Sequence, residues 1–254
     1  MIVSHNELIA TVNKAFLGMR RKCGEADIIA NMVADLQIVK LDGVRHFNNA
    51  ISFIKLEEDF PIQIELINEQ NVLKTDLHGR SVACHIPIII DSILEKFFSD
   101  KKSNLLKIEI NNCHNRWLVY NQLEYLSSKG LSCIAKWNNG SSPRKILCCF
   151  DSNSSFPNFY FSEKLFNLED SLHNLVIEIS KNNLSVERFS NSYENHLSST
   201  SLEIIHQGSW KDGIFVEDSD WKALKNNSLS ILVQDSAKSA LGAGELQVDQ
   251  IIAL

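Results

Sequence analysis

Residues 105–137, LLKIEINNCHNRWLVYNQLEYLSSKGLSCIAKW, carry the clearest indication of a fold class. Residues 105–110 are typical of a strand, residues 115–129 of a helix that ends at Gly130, and residues 131–137 of a second strand. A strand, a helix and a strand of these lengths form a βαβ unit, in which the two strands pair in parallel through a right-handed crossover. The sequence therefore predicts an α/β sheet at the centre of the chain.

The residues before this unit predict three helices, two strands and a fourth helix. Ser4 and Glu7 have the spacing of a capping box that begins the first helix. Further helices are predicted at residues 25–41, with Gly43 as the stop, and at residues 47–56. Alternating apolar residues predict strands at residues 62–66 and 72–77. Pro87 suits the first turn of a helix over residues 88–98, because proline has no amide hydrogen to lose there.

The residues after the unit indicate mainly strands. Strands are predicted at residues 146–150, 159–161, 175–179, 202–205 and 229–233, and a helix at residues 220–224. The predicted fold class is mixed α/β, with a helical N-terminus, a central sheet that contains the βαβ unit and a β-rich C-terminal part. A change of composition near residue 139 divides the chain into regions 1–138 and 139–254, or lies in a loop of one continuous domain.

Composition and charge exclude several classes of function. The 254-residue chain is 44% hydrophobic and has a formal net charge of -6. It lacks the clustered positive charge that nucleic acid or an anionic membrane surface attracts, so neither partner is predicted. No signal peptide is recognisable at the N-terminus, and six scattered cysteines are typical of buried, reduced thiols. These features predict a cytoplasmic protein.

The polar residues at the junction between residues 110 and 117 form the first candidate site. In open α/β sheets ligands bind beyond the carboxyl ends of strands, where the amides at a helix N-terminus favour an anion. Arg116 would grip a carboxylate or a phosphate, His114 would act as an acid, a base or a hydrogen-bond donor, and Asn112 would add a polar contact. The alternative is that these side chains cap the helix and bind loop backbone. As a surface residue, Arg116 would contribute little to stability.

A second group of residues, Asp42, Arg45 and His46, follows the second predicted helix and is expected to line the other wall of the same crevice. Its alternative role is a helix stop with solvated charges. Cys84-His85 and Cys113-His114 match no standard zinc spacing, so no metal site is predicted. The glycines of residues 242–244 are more typical of a turn than of a phosphate loop, since no Lys-Ser or Lys-Thr follows.

Segments at both ends of the chain resemble an uncharacterised bacterial family, a domain of unknown function. They are Ser4-His5-Asn6-Glu7, Gly24-Glu25-Ala26 and Leu41-Asp42-Gly43, together with Ser239, residues 242–244 and Asp249. This resemblance implies a bacterial origin and supplies no activity.

Residues 7–140 also resemble, more distantly, the N-terminal half of the malate/L-lactate dehydrogenase family. The segments that carry the resemblance are residues 34–45, 76–79, 112–116 and 130–138. The family reduces 2-oxo and cyclic imino acids with NAD(P)H, so the resemblance implies NAD(P) as a cofactor. The family's catalytic histidine falls on Asp42, and its glycine after the junction histidine falls on Arg116. Its cofactor-binding glycines have no counterpart after residue 140, so no cofactor-binding residue is assigned.

These observations predict a metabolic protein that binds a small anionic, carboxylate-type metabolite at a strand-to-helix crevice. If it is an enzyme, His114 or Asp42 is the acid–base group, and Arg116, Arg45, His46 and Asn112 bind the substrate. One alternative is a diverged NAD(P)H-dependent reductase of 2-oxo or imino acids. Another is a non-catalytic subunit of a larger assembly that pairs with another chain through the apolar face of its first helix, formed by Leu8, Val12 and Phe16. A homo-oligomer is a separate expectation.

Overall fold

A computed structural model gives the fold and describes residues 1–20, 23–57, 61–67, 71–99, 104–164, 172–186, 189 and 192–231. The described part contains seven α-helices and two sheets, which confirms the mixed α/β class. The helices are α1 (His5–Leu17), α2 (Cys23–Ile38), α3 (Gly43–Ile54), α4 (Val82–Ser99), α5 (Tyr120–Ser128), α6 (Ser199–Asp212) and α7 (Asp218–Ser228). The strands are β1 (Ile2–Val3), β2 (Glu65–Ile67), β3 (Val72–Ser81), β4 (Leu105–His114), β5 (Ser132–Asn138), β6 (Lys145–Phe150), β7 (Asn158–Ser162), β8 (Leu175–Ser180), β9 (Asn195–Leu197) and β10 (Ile214–Phe215).

Helix α1 begins where the sequence predicts. The Ser4 hydroxyl accepts a hydrogen bond from the Glu7 amide at 3.2 Å, which satisfies one of the free amide groups of the first turn. Leu8, Val12 and Phe16 are completely buried against the rest of the chain, where α1 contacts α2 and α7. The hypothesis that this apolar face pairs with another chain is therefore wrong, because the protein's own core covers it.

The joint between α2 and α3 is unusually close. Helix α2 ends at Ile38, and Gly43 is the first residue of α3 rather than a stop that follows α2. A Cβ atom at Gly43 would collide with the Val33 carbonyl and lie 2.9 Å from the Gln37 amide nitrogen. The Gln37 side-chain oxygen accepts a hydrogen bond from the Val44 amide at 2.9 Å. This joint fixes the direction in which the first turn of α3 projects its side chains.

The large sheet has the strand order β2-β3-β4-β8-β5-β6-β7-β9. Helix α5 connects β4 to β5, as predicted, but the predicted direct pairing of these two strands is wrong. Strand β8 lies between them and pairs antiparallel with both. Its alternate residues Leu175, Ile177 and Ile179 are fully buried, so β8 supplies the apolar contacts that β4 and β5 would otherwise make with each other. The parallel pair of the sheet is β3 with β4, connected by α4.

Four other predicted elements differ from the structure. Helix α4 begins at Val82, so Pro87 lies inside it and not in the first turn. Strand β2 begins three residues later than predicted, at Glu65. Residues 202–205 belong to α6, whose first turn is capped by the Ser198 hydroxyl at 3.1 Å from the Ser201 amide nitrogen. Residues 229–231 form a 3₁₀ turn.

Strands from both sides of residue 139 belong to the same large sheet, and the predicted strands at residues 146–150, 159–161 and 175–179 are all present in it. The five cysteines whose side chains are described are buried and free of disulfides. No helix in the described ranges has the length and apolar content needed to cross a bilayer. The glycines of residues 242–244 lie outside the described residues.

Candidate functional site

The predicted junction lies where the sequence places it. Strand β4 ends at His114, Asn115 adopts a left-handed conformation with φ of 58°, and a 3₁₀ turn over Arg116–Val119 leads into α5. Asparagine tolerates this conformation better than most residues, which explains the sharp change of direction after His114. The side chains around this turn, however, point into separate environments.

Arg116 is buried, with 9% of its surface exposed. Its Nη1 donates a hydrogen bond to the Cys113 carbonyl at 2.6 Å, and its Nη2 donates to the Asn138 carbonyl at 2.8 Å. The guanidinium therefore joins the end of β4 to the end of β5. No described carboxylate forms an ion pair with it, and its buried Nε has no hydrogen-bond partner.

His114 is half-buried and lies outside the three described cavities that are large enough for a ligand. Its ring stacks on Phe53 of α3 at a centroid distance of 4.2 Å and lies 4.6 Å from the ring of His173. Burial, His173 and Arg116 all lower the pKa of His114, so the ring is neutral at pH 7. A neutral ring between two aromatic neighbours is suited to packing.

Asn112 and Cys113 have local partners as well. The Asn112 side chain donates a hydrogen bond to the Asp76 carboxylate of β3 at 2.7 Å. Burial raises the pKa of the Cys113 thiol to about 11, so the thiol stays protonated. Among the described residues, no three His, Cys, Asp or Glu side chains are close enough together to hold a metal ion.

The second predicted group does line a cavity, with a volume of about 490 Å³. We call it the Asp42 cleft. One wall is the turn before α3 and the first turn of that helix, and the other comes from the 3₁₀ turn, the β5–β6 loop and β7. The lining residues that matter for its chemistry are Lys40, Asp42, Arg45, His46, Trp117, Asn139, Phe161 and Glu163. The structure thus brings Asp42, Arg45 and His46 together and leaves His114 and Asn112 outside.

Arg45 has two acidic partners and one free donor group. Its Nη1 donates to Asp42 at 2.8 Å and its Nε donates to Asp220 at 3.0 Å. Asp42 in particular raises the pKa of Arg45, so the guanidinium is always charged. Its Nη2 makes no hydrogen bond to a described residue. This geometry fixes the guanidinium at the cleft and leaves hydrogens available to a ligand.

His46 is the most distinctive side chain of the cleft. Its ring stacks on Trp117 at a centroid distance of 5.1 Å and an interplanar angle of 16°. Burial, with a smaller contribution from Arg45, lowers the pKa of His46 to about 4, so the imidazole is neutral at pH 7. Neither ring nitrogen hydrogen-bonds a residue in the described part of the chain. A neutral imidazole held in this way offers one donor and one acceptor to a ligand.

Sequence reasoning missed Trp117 and Asn139, which complete the cleft. Trp117 directly follows Arg116, and Asn139 directly follows the carbonyl that Arg116 binds. Arg116 therefore holds the two segments that bear Trp117 and Asn139. The available signal was an aromatic residue just after the strand-to-helix junction, but nothing in the local sequence shows that it faces α3.

The fold is similar to that of several solved dehydrogenase structures. A dehydrogenase structure from Sinorhizobium meliloti superposes with a TM-score of 0.65 at 9% identity, covering 90% of this chain and 99% of that one. Malate dehydrogenase from Pyrococcus horikoshii OT3 gives a TM-score of 0.64 at 9% identity, with 92% and 96% covered. Sulfolactate dehydrogenase from Methanocaldococcus jannaschii gives 0.59 at 9% identity, with 91% and 97% covered. At such identities the similarity establishes the fold alone.

At the level of sequence, residues 3–85 match the model of a family described as a protein of unknown function, DUF3726. No functionally curated protein matches the chain. Both resemblances seen in the sequence, to a family of unknown function and to the malate/L-lactate dehydrogenases, are thereby confirmed.

Proposed function

We propose that the protein binds a small 2-hydroxy- or 2-oxocarboxylate in the Asp42 cleft. The observation that carries the proposal is the neutral imidazole of His46, stacked on Trp117 with both nitrogens free of described partners, beside a fixed and charged arginine. Malate and sulfolactate, named for two proteins of the same fold, are 2-hydroxy acids with a second acidic group. Such a molecule needs a cation for each acidic group and a hydrogen-bonding group for its hydroxyl.

The side chains of the cleft match these needs. The free Nη2 of Arg45 would bind a carboxylate, and Lys40 at the cleft would attract a second anionic group. The buried Arg116, which has no described carboxylate partner, adds positive potential behind Trp117 and partly offsets the negative charges of Asp42 and Glu163. His46 would hydrogen-bond the hydroxyl or the carbonyl oxygen of the ligand.

Whether the chain also catalyses a reaction depends on a proton donor. His46, with a pKa of about 4, does not supply a proton at pH 7, and His114 lies outside the cleft. Asp42, which occupies the position of the related family's catalytic histidine, is held by Arg45 at 2.8 Å. The cleft is therefore better suited to binding than to acid catalysis, and we propose Asp42 as the residue that orients Arg45.

The second candidate function is an NAD(P)H-dependent reductase, which the fold favours. The described residues after 139 do not fit a dinucleotide phosphate loop. A Cβ atom at Gly213 would collide with Ile2, so this glycine serves the β1–β10 pairing, and Cβ atoms at Gly140 and Gly208 would meet nothing within 4 Å. None of these three glycines is a lining residue of the described cavities. Thermal unfolding with NADPH tests this function, because a ligand at 100 times its Kd adds about 2.7 kcal/mol of stability.

Isothermal titration calorimetry with L-malate, sulfolactate and succinate tests the binding proposal. Malate should bind more tightly than succinate, which lacks the 2-hydroxyl. His46→Phe keeps the ring stack but should remove this preference. Arg45→Gln should weaken malate binding about tenfold, the effect of one charge-assisted hydrogen bond. Arg20→Gln, a change on an exposed residue that does not line the cleft, is the matched control and should bind like the wild type. Failure of all these acids to bind at millimolar concentration would overturn the proposal.

A further inference from the structure

A second cavity, separate from the Asp42 cleft, is lined by acids. It lies between α2, α5 and α6 and has a volume of about 340 Å³. We call it the Asp35 cavity. Its polar lining consists chiefly of Asp35, Tyr120, Glu124, Glu203 and His206, and Ile38, Val39 and Phe156 add an apolar wall. None of its described lining residues is a lysine or an arginine. Three carboxylates therefore face a small hollow without a basic partner there.

The two inner carboxylates have little to stabilise their charge. Asp35 accepts a hydrogen bond from the Asn121 side chain at 2.6 Å through one oxygen, and the Glu124 carboxylate makes no hydrogen bond to a described residue. Burial raises the pKa of Asp35, and burial together with the charge of Asp35 raises the pKa of Glu124 to about 7. A cation beside the carboxyl groups of Asp35 and Glu124 would stabilise their ionised forms.

An independent observation points to a ligand in the same cavity. Tyr120 is buried, with only 3% of its surface exposed, and its ring packs against Phe150 and Phe159. Its side chain nevertheless lines the cavity, and its hydroxyl makes no hydrogen bond to any residue in the described ranges. The unpartnered hydroxyl of this buried side chain is therefore available to a group inside the cavity.

His206 completes the polar wall as a neutral group. Trp210 donates its indole hydrogen to Nε2 of His206 at 3.0 Å, which leaves the ring proton on Nδ1. Burial is the main cause that lowers the pKa of His206. The ring therefore brings no positive charge to the cavity at neutral pH, and the acids remain without an internal counter-charge.

We propose that the Asp35 cavity binds a small organic cation, a primary amine on a short apolar body. The ammonium group would lie between Asp35 and Glu124 within reach of the Tyr120 hydroxyl, and the apolar body would contact Ile38, Val39 and Phe156. An ammonium has three donors, and these three side chains supply three oxygen acceptors. This inference does not depend on the function proposed for the Asp42 cleft.

Calorimetric titration of the wild-type chain at pH 8 with n-butylamine, 1-butanol and butyrate tests the proposal without any mutation. The amine should bind at least about tenfold more tightly than the alcohol, because a hydrogen bond to a charged group is worth more than 1.4 kcal/mol. Butyrate should not bind. The affinity for the amine should also rise between pH 6 and pH 8, because the pKa of Glu124 is about 7. The titratable groups that face this carboxylate are Asp35 on α2 and Glu203 and the neutral His206 on α6, and His5 on α1 acts on Asp35.

Two variants locate the site. Glu124→Gln and Tyr120→Phe should each weaken amine binding about tenfold or more, because each removes an acceptor of a hydrogen bond from the charged ammonium. Glu95→Gln on the exposed face of α4 makes the same charge change away from the cavity and should have no effect. Equal binding of amine and alcohol to the wild type, no amine binding at millimolar concentration, or full affinity in a folded Glu124→Gln variant would each overturn the proposal.

Discussion

Replacing Arg116 by alanine separates a structural arginine from a ligand-binding one. The side chain is 9% exposed and donates to the carbonyls of Cys113 and Asn138, at 2.6 and 2.8 Å. Alanine would remove both bonds and leave both carbonyls at the ends of β4 and β5 without these donors. We therefore expect a large loss of stability, in contrast to the sequence-based prediction that a surface arginine contributes little.

The magnitude follows from the two hydrogen bonds. Hydrogen bonds to charged groups contribute about 1.5–3 kcal/mol each, and releasing a desolvated cation into water returns part of that sum. A net loss of about 3 kcal/mol in the free energy of unfolding is expected. For a chain of this size, 1 kcal/mol changes Tm by about 2–4 °C, so Tm should fall by about 6–12 °C.

Urea denaturation followed by tryptophan fluorescence measures this loss, and Arg45→Ala is the matched control. Arg45 is 47% exposed, and its two ion pairs lie at the surface, so its removal should cost less than about 1 kcal/mol. If Arg116→Ala unfolds with the same midpoint as Arg45→Ala, the guanidinium is not a structural bridge. The reasoning about the junction would then be refuted.

Three further changes test other parts of the structure. The pKa of His46 is 6.5 in the unfolded chain and about 4 in the folded one, so its contribution to stability is complete above pH 6.5 and is lost as the pH falls toward 4. Between these two pH values the free energy of unfolding of the wild type should fall by roughly 1.4 kcal/mol more per pH unit than that of His46→Phe, as measured by denaturation. The pKa of Glu124 is raised from 4.5 to about 7, so the stability that this group contributes below pH 4.5 is lost as the pH rises through 7. Glu124→Gln should therefore be more stable than the wild type at pH 8, by on the order of 2–3 kcal/mol in the free energy of unfolding. An unchanged stability at pH 8 would contradict the burial of Glu124. Gly43→Ala should lower the free energy of unfolding by on the order of 3 kcal/mol, because its Cβ would collide with the Val33 carbonyl; an unchanged Tm would show that α2 and α3 separate easily.

The elements that the sequence predicts well are those with a strong local pattern. The capped start of α1 and the strands β3 to β8 carry apolar periodicity or capping residues that act over a few positions. The insertion of β8 between β4 and β5 carries no such signal, because strand order depends on contacts between residues about 70 positions apart, such as Ile108 and Ile177. Residues 202–205 were predicted as a strand because the apolar run is short, and short apolar runs do not distinguish the two structures.

The candidate site could be predicted only in part, for a geometric reason. Asn112, His114 and Arg116 are neighbours in the chain, and in a regular strand Asn112 and His114 would lie on the same face. Asn112 and Asn115 both adopt a left-handed conformation, however, so the backbone turns at each of them and the three side chains diverge. One side chain consequently binds Asp76, one stacks on Phe53 and one is buried between two strands. Asp42, Arg45 and His46 stay together because Asp42 directly precedes α3 and the other two lie in its first turn, where residues three or four apart share a face.

The Asp42 cleft and the Asp35 cavity share two chain segments as walls, but only the cleft could be recognised in the sequence. Asp35, Ile38 and Val39 line the Asp35 cavity, and the next three residues, 40–42, line the Asp42 cleft. Likewise Trp117 faces the cleft, and Tyr120, three residues later, faces the cavity. The cleft contains charged side chains clustered in sequence and could be noticed locally. The acidic residues of the cavity come from three different helices, and in the sequence each of them is typical of a solvated helix face. Only the packing of α2, α5 and α6 brings them together around one cavity.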